Sequence, residues 1–154
     1  MKEKQPSSIN CFVCGRENPA GLKLDFFMVE EGKTNSSFSL PKHYEGYPGI
    51  VHGGIIAAIL DETGGRALMT EPERFFVTAQ LDVRYRKPVH TETPLMAVGY
   101  ALDQKGRVAK ARSEIQNSDG DILAEADLVL VEVDPSQLSD QDPESLGWRV
   151  FPDN

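Results

Sequence analysis

A chain of 154 residues, 40% of them hydrophobic, is the size of one ordinary domain with a single core. Its 24 acidic against 16 basic side chains leave a net charge of −8, a field that repels nucleic acid and leaves any anionic ligand dependent on a local basic patch. No apolar run approaches the roughly 18 residues of a membrane span, and the opening MKEKQPSSIN lacks the apolar stretch of a signal peptide, so a cytoplasmic protein with no nucleic-acid or membrane partner is expected.

In chain order, Cys11 and Cys14 come first, together in CFVCG, a spacing shared by zinc knuckles and thioredoxin-type redox pairs. A structural zinc site takes four ligands, and only His43, His52, His90 or a second subunit's cysteines are available to complete one. A thioredoxin-type pair opens a helix after a strand, whereas CGRENPAGLKL runs through Gly15, Pro19 and Gly21 into a strand-like pattern. Residues 1–20 are read as an N-terminal segment whose loop carries two reduced thiols and no metal. Zinc is the alternative, and elemental analysis is expected to find far less than one zinc per chain.

From Leu22 the pattern alternates, with Leu22, Leu24, Phe26 and Met28 on one face, as in a half-buried strand. TNSSFSL pairs back to it through a turn at EEGK, where Gly32 supplies the permissive backbone. PKHYEGYPGIV, with Pro41, Gly46, Pro48 and Gly49, is loop. A helix begins near His52 to Gly54, weakens at Gly64 and Gly65, and frays or continues to about Thr70. After EPER a long strand places Phe75, Val77, Ala79, Leu81, Val83 and Tyr85 on one face and ends at Pro88. LDQKGR and NSDGD then separate three further strands into an antiparallel meander. The acidic, proline-bearing tail, residues 134–154, is an extended arm whose Trp148 and Phe151 are placed to dock locally.

One helix, apolar on nearly every side, has to be enclosed, so the sheet is expected to curl around it. Two acids interrupt that helix, Asp61 and Glu62. Glu62 has Arg66 four residues on, in the favourable order, and is read as half of an exposed helix ion pair whose loss costs less than about 1 kcal/mol. Asp61 faces only Ala57, Ala58, Gly64 and Gly65 at helical spacing, so it borders a wet cavity, meets a partner from elsewhere or has a chemical task. At the helix start, Gly53 and Gly54 leave unpaired N–H groups open to close approach by a ligand, an arrangement suited to an oxyanion; relief of crowding under the sheet explains the same glycines equally well. Gly53 and Asp61 are eight residues apart, about 12 Å along one helix, whereas both would have to reach one carbonyl. If both are catalytic, the site must be shared by two subunits across a two-fold axis.

CFVCG, NPAGLKL, GYPGIVHGGIIAAILDE and LDVRYRKPV together resemble the hotdog-fold thioesterase superfamily, in the branch similar to the PaaI-like acyl-CoA thioesterases, over residues 11–133. The resemblance implies an α+β hotdog fold: a curled antiparallel sheet of about six strands around one long central helix, spanning residues 21–133. It implies a hydrolase acting on acyl-CoA without a cofactor, as a homodimer or a homotetramer built as a dimer of dimers. Asp61 then matches the acidic residue that activates water or attacks the thioester, Gly53 the oxyanion-hole amide, and His52 the HGG histidine. Thr78 falls where relatives place a Ser or Thr that positions water, although strict alternation puts it on the wrong face and only a twist or bulge aims it at Asp61. Gly46 stands where some relatives carry an Asn, so a polar contact to the acyl carbonyl or its neighbouring water is missing. Gly54 would let substrate approach the backbone. Arg84 and Arg86 share one strand face with Lys87 beside them, a basic patch for the nucleotide phosphates or, more simply, a solvated strand face. Pocket depth would rest on residues such as Tyr44, Tyr47, Phe75 and Phe76. The competing functions are an acyl-CoA-binding domain without turnover and an acyl-thioester dehydratase, the latter needing His43 or His52 beside the acid.

Overall fold

The computed structural model describes residues 2–71, 74–140, 142 and 147–153, so residues 141, 143–146 and 154 of the expected arm lie outside the described residues. Among the described residues are seven strands, β1 Glu3–Lys4, β2 Phe27–Glu30, β3 Lys33–Phe38, β4 Phe75–Tyr85, β5 Leu95–Lys105, β6 Val108–Gln116 and β7 Ile122–Val133, with one long helix, α1 Gly53–Leu68. They form one antiparallel sheet in the order β1-β2-β3-β5-β6-β7-β4. The expected count of about six is exceeded by β1, two residues that pair with β2. The turns at Gly32, Gly106 and Gly120 all use positive φ, the conformation glycine adopts without a Cβ clash.

The strand expected from Leu22 begins instead at Phe27. Lys23 has φ +56°, a left-handed conformation that breaks pleated pairing. Leu24 and Phe26 are nevertheless buried, as the alternation predicts. Their stretch pairs with the N-terminal segment, through Leu22 N–H to Phe12 O at 2.8 Å and Leu24 N–H to Val13 O at 2.9 Å.

The helix does not weaken at Gly64 and Gly65 but runs unbroken to Leu68. A Cβ on Gly64 would stand 2.6 Å from the Leu128 side chain, so glycine there is a packing requirement that outweighs its helix cost of about 1 kcal/mol. Ile56, Ile59, Leu60, Thr63 and Ala67 are buried beneath the sheet, and Ser113 Oγ donates to Leu60 O at 2.7 Å. The chain encloses only this side. Gly54 is exposed and Ala57, Ala58, Asp61 and Gly65 are half-exposed, beside β4 at the sheet edge.

The N-terminal segment and the tail close over the far end of α1. Gln5 Nε2 donates to Arg66 O at 3.0 Å, and Ser7 and Arg149 exchange backbone hydrogen bonds of 2.8 and 3.1 Å. Trp148 docks as the sequence suggested, its ring 5.4 Å from that of Phe75 and 5.3 Å from the Arg66 guanidinium.

Candidate active site

Thr78 Oγ1 donates to Asp61 Oδ1 at 2.6 Å. Pairing between β4 and β7 slips between Thr78 and Gln80, which leaves Ala79 as the extra residue of a bulge. Because side chains alternate with period two, one extra residue exchanges the two faces of the strand upstream of it. Leu81 and Val83 pack toward the core as expected, but on the other side of the bulge it is Phe76 that does so. Val77 and Ala79, expected inside, are exposed, and Val77 keeps 41% of its surface in water. Asp61, Thr78, Phe76, Gly65, Met69 and Leu130 border a small recess of ≈ 110 Å³. Burial raises the Asp61 pKa above the usual aspartate value, the Thr78 hydrogen bond draws it back in part, and Glu62 adds to the rise.

A separate cavity of ≈ 630 Å³ surrounds the start of α1, lined by Gly46, Tyr47, His52, Gly53, Tyr85, Arg86 and Lys87 among others. It shares no lining residue with the Asp61 recess. His52 is the N-cap, its Nδ1 accepting the Gly54 N–H at 2.9 Å. That consumes one of the amides the sequence left open, whereas the Gly53 N–H has no acceptor among the described residues. His52→Ala is therefore expected to cost about 1 kcal/mol of stability, as loss of a helix cap does, measured as a lower urea midpoint at unchanged m value.

Tyr85, placed by the alternation on a strand face but given no role in the site, belongs to it. Its hydroxyl donates to Gly53 O at 2.7 Å and pins the helix start to the end of β4. The signal was its place on the face shared with Leu81 and Val83. Tyr47 borders this cavity as anticipated, but Tyr44 instead braces the N-terminal segment, donating to Gly21 O at 2.7 Å. Gly46 is packed near His52, where an added Cβ would meet the His52 Cα at 3.4 Å.

The three basic residues divide. Arg86 and Lys87 line the cavity and Arg84 does not. None is an unopposed charge: Arg84 lies 3.3 Å from Asp127, Arg86 2.9 Å from Glu125 and Lys87 3.4 Å from Asp121. Arg112 joins the same Glu125 at 3.1 Å, and the carboxyl of Glu125 is held below the usual range, first by its hydrogen bond from Arg86.

Glu62 pairs with Arg66 as the spacing predicts, at 2.9 Å, but the pair is not exposed: the Arg66 side chain keeps 1% of its surface and that of Glu62 24%. Arg66 also donates to Pro6 O and lies 4.9 Å from the Phe26 ring. Cys11 Sγ, Cys14 Sγ and a Glu62 oxygen stand within 4.8 Å of one another. Arg66 Nε already donates to that carboxylate at 2.9 Å, and the positive charge of the guanidinium opposes a second cation, so no metal is assigned here.

Residues 48–124 match the thioesterase superfamily. The chain is 33% identical over 142 residues to the acyl-coenzyme A thioesterase THEM4 of Mus musculus, an alignment covering 88% of this chain and 59% of that protein. The chain thus spans under two thirds of the length of that relative. Among solved structures, the thioesterase superfamily protein RHA08564 superposes with a TM-score of 0.74 at 28% identity, over 80% of this chain and 60% of that one. Smu.793 of Streptococcus mutans UA159, solved bound to acetyl CoA, has a TM-score of 0.65 at 19% identity over 72% of this chain and 89% of that one, which speaks to the fold alone. The curled seven-stranded antiparallel sheet around one helix is the hotdog fold. With half of its length matched to that family, the chain belongs to the thioesterase superfamily.

Proposed function

We propose that the protein hydrolyses acyl-CoA thioesters as a homodimer, or a dimer of dimers, with each active site built from two subunits. The observation that carries this reading is the hydrogen bond from Thr78 to Asp61 in a recess separate from the cavity holding Gly53. In each site Asp61 of one subunit acts as base or nucleophile, and Thr78 orients the carboxylate or the water it activates. The unpaired Gly53 amide of the other subunit receives the developing oxyanion. A CoA thiolate leaves without a strong general acid, so this modest equipment is sufficient. At the cavity that also holds Gly53, Lys87 would exchange its exposed partner Asp121 for substrate phosphates, and Arg86 would reach them while Arg112 continues to hold the buried Glu125. The face of α1 left open beside the β4 edge supplies the surface on which a second copy would lie. The dehydratase alternative is disfavoured because the Nδ1 of His52 is engaged by the Gly54 amide, and because His43 lines neither cavity. The match with a relative named as an acyl-CoA thioesterase favours turnover over simple binding.

Mixing subunits tests both halves of the proposal. Gly53→Pro removes the proposed donor and is expected to fold: proline suits the first helical position, His52 already has ψ 135°, in the range preferred before proline, and a Cβ at 53 meets Tyr85 no closer than 3.5 Å. Gly53→Pro and Asp61→Asn, each inactive, are unfolded together and refolded, with circular dichroism to confirm each fold. In a mixed dimer one site carries both lesions and the other none. Release of free thiol from a panel of acyl-CoAs is expected to recover toward about a quarter of wild type, since about half of the dimers are mixed and each has one sound site. A mixture that exchanges subunits and stays inactive would break the shared-site assignment, and a wild-type protein that releases no thiol from any member of the panel would break the activity itself.

A further inference from the structure

Outside the proposed active site, the N-terminal loop places the chain's two cysteines, both free, beside Glu62 of α1. Residues 12–14 form a turn, closed by Gly15 N–H to Cys11 O at 2.8 Å. A side chain on Gly15 would run into the Cys11 backbone, so the loop is tight by construction. Cys11 and Cys14, three residues apart in this turn, hold their Sγ atoms within 4.8 Å of each other, and closing them to the roughly 2 Å of a disulfide bond calls for side-chain rotation within the loop. The Cys14 N–H points at Cys11 Sγ at 3.4 Å, and the Cys11 N–H is held by Ser8 Oγ at 3.2 Å. Cys11 is half-exposed while Cys14 keeps 1% of its surface.

We propose that Cys11 and Cys14 are a peroxide-reactive dithiol, in which Cys11 is the attacking sulfur and Cys14 the resolving one, closing a disulfide within one chain. The Cys11 thiolate attacks one oxygen of a hydroperoxide. A sulfur–oxygen bond forms, the oxygen–oxygen bond breaks, and the departing hydroxide or alkoxide takes a proton, leaving Cys11 as a sulfenic acid. The Cys14 sulfur, losing its proton, then attacks the Cys11 sulfur; the disulfide bond forms and hydroxide leaves as water. Two electrons pass from the dithiol to the peroxide. For hydrogen peroxide, two thiols and one peroxide become one disulfide and two waters.

The surroundings set the order of these roles. A hydrogen bond from the Cys14 thiol, helped by the backbone amides of Cys14 and Val13, holds the Cys11 pKa down to about 6 against the opposing effects of burial and Glu62. The same contact with Cys11, together with burial and Glu62, raises that of Cys14, and Arg66 draws it back in part. Cys11 is thus the ready nucleophile, and Cys14 stays protonated while the Cys11 thiolate needs its hydrogen bond. Once Cys11 carries oxygen instead of charge, the main cause of that elevation disappears and Cys14 is released to close the bridge.

The test uses the full chain and needs no acyl-CoA, so its outcome is independent of the proposed activity. Purified protein is titrated with hydrogen peroxide at pH 7 while free thiols are counted and the denatured intact mass is recorded. Both thiols are expected to vanish with one equivalent of peroxide, the mass to fall by two hydrogens, and dithiothreitol to restore both. The rate is expected to exceed that of glutathione by about tenfold, because a larger fraction of Cys11 is thiolate at that pH. Cys14→Ala is expected to stop at a sulfenic acid that dimedone labels at Cys11, and Cys11→Ala to keep its remaining thiol. Added oxygen without a bridge in the wild type, a bridge between chains, or a rate no greater than that of glutathione would overturn the proposal. So would stoichiometric zinc that has to be stripped before the thiols react. Should Cys14→Ala fail to fold, the wild-type mass and thiol count still decide.

Discussion

Asp61→Asn is expected to lower thioester hydrolysis at least about 100-fold while leaving the fold intact. Asparagine keeps the size of the side chain and an oxygen able to accept the 2.6 Å hydrogen bond from Thr78, so what it removes is the basic and nucleophilic lone pair. The loss should fall on kcat, with KM little changed, because a group that acts on water or on the reacting carbonyl contributes to the transition state more than to binding. Two accompanying measurements separate chemistry from damage. Because burial raises the Asp61 pKa and the reactive form is the carboxylate, wild-type kcat/KM should rise with pH through that elevated value, whereas the residual rate of Asp61→Asn should not follow it. Stability moves the other way. The folded state binds the Asp61 proton more tightly than the unfolded chain does, so this residue's contribution declines as pH climbs from the unfolded value through the folded one, and stays lower above both. Asparagine has no proton to lose, so the variant should melt higher than wild type at neutral pH and converge with it in acid. An Asp61→Asn enzyme with wild-type turnover would remove this acid from the mechanism.

Glu62→Gln, one residue along the same helix, is expected to unfold at a Tm about 10 °C lower, a destabilisation of about 3 kcal/mol. The sequence reading of an exposed i, i+4 pair put this cost under about 1 kcal/mol, and the burial of Arg66 reverses that ranking. The guanidinium keeps 1% of its side-chain surface in water and is enclosed by Pro6, Phe26 and Trp148. Removing the carboxylate takes from this interior charge its ion-pair partner and leaves it to the weaker influence of the nearby Cys11 and Cys14 sulfurs, and breaking a buried pair from one side is strongly destabilising. Glu62 retains 24% of its own surface, which keeps the expectation at the lower end of the range for buried pairs. Adding Arg66→Met should recover much of the loss, since an apolar pair of similar volume often replaces a buried ion pair at little cost. Thermal unfolding of the two variants, followed by circular dichroism, checks both statements. A Glu62→Gln shift of only a degree or two would mean that water reaches Arg66 in solution.

The contrast between these neighbouring acids marks the line between local and long-range information. Side-chain periodicity and turn chemistry are written into adjacent residues, so the β2–β3 hairpin, the meander of β5, β6 and β7, and the helix from Gly53 could all be read without coordinates. The missing helical partner of Asp61 was equally legible, because spacing along a helix decides which side chains meet. Tertiary structure decided everything that depends on a distant partner. Gly64 looked like a helix breaker until Leu128 was seen lying against it. Thr78 seemed to face away from Asp61 until the slip between β4 and β7 aimed it at that carboxylate. Arg66 seemed to sit in water until residues about sixty positions earlier, and the tryptophan near the far end of the chain, covered it. A bulge is a property of two paired strands, and burial of everything folded on top, so neither can be deduced from the few residues around the position they transform.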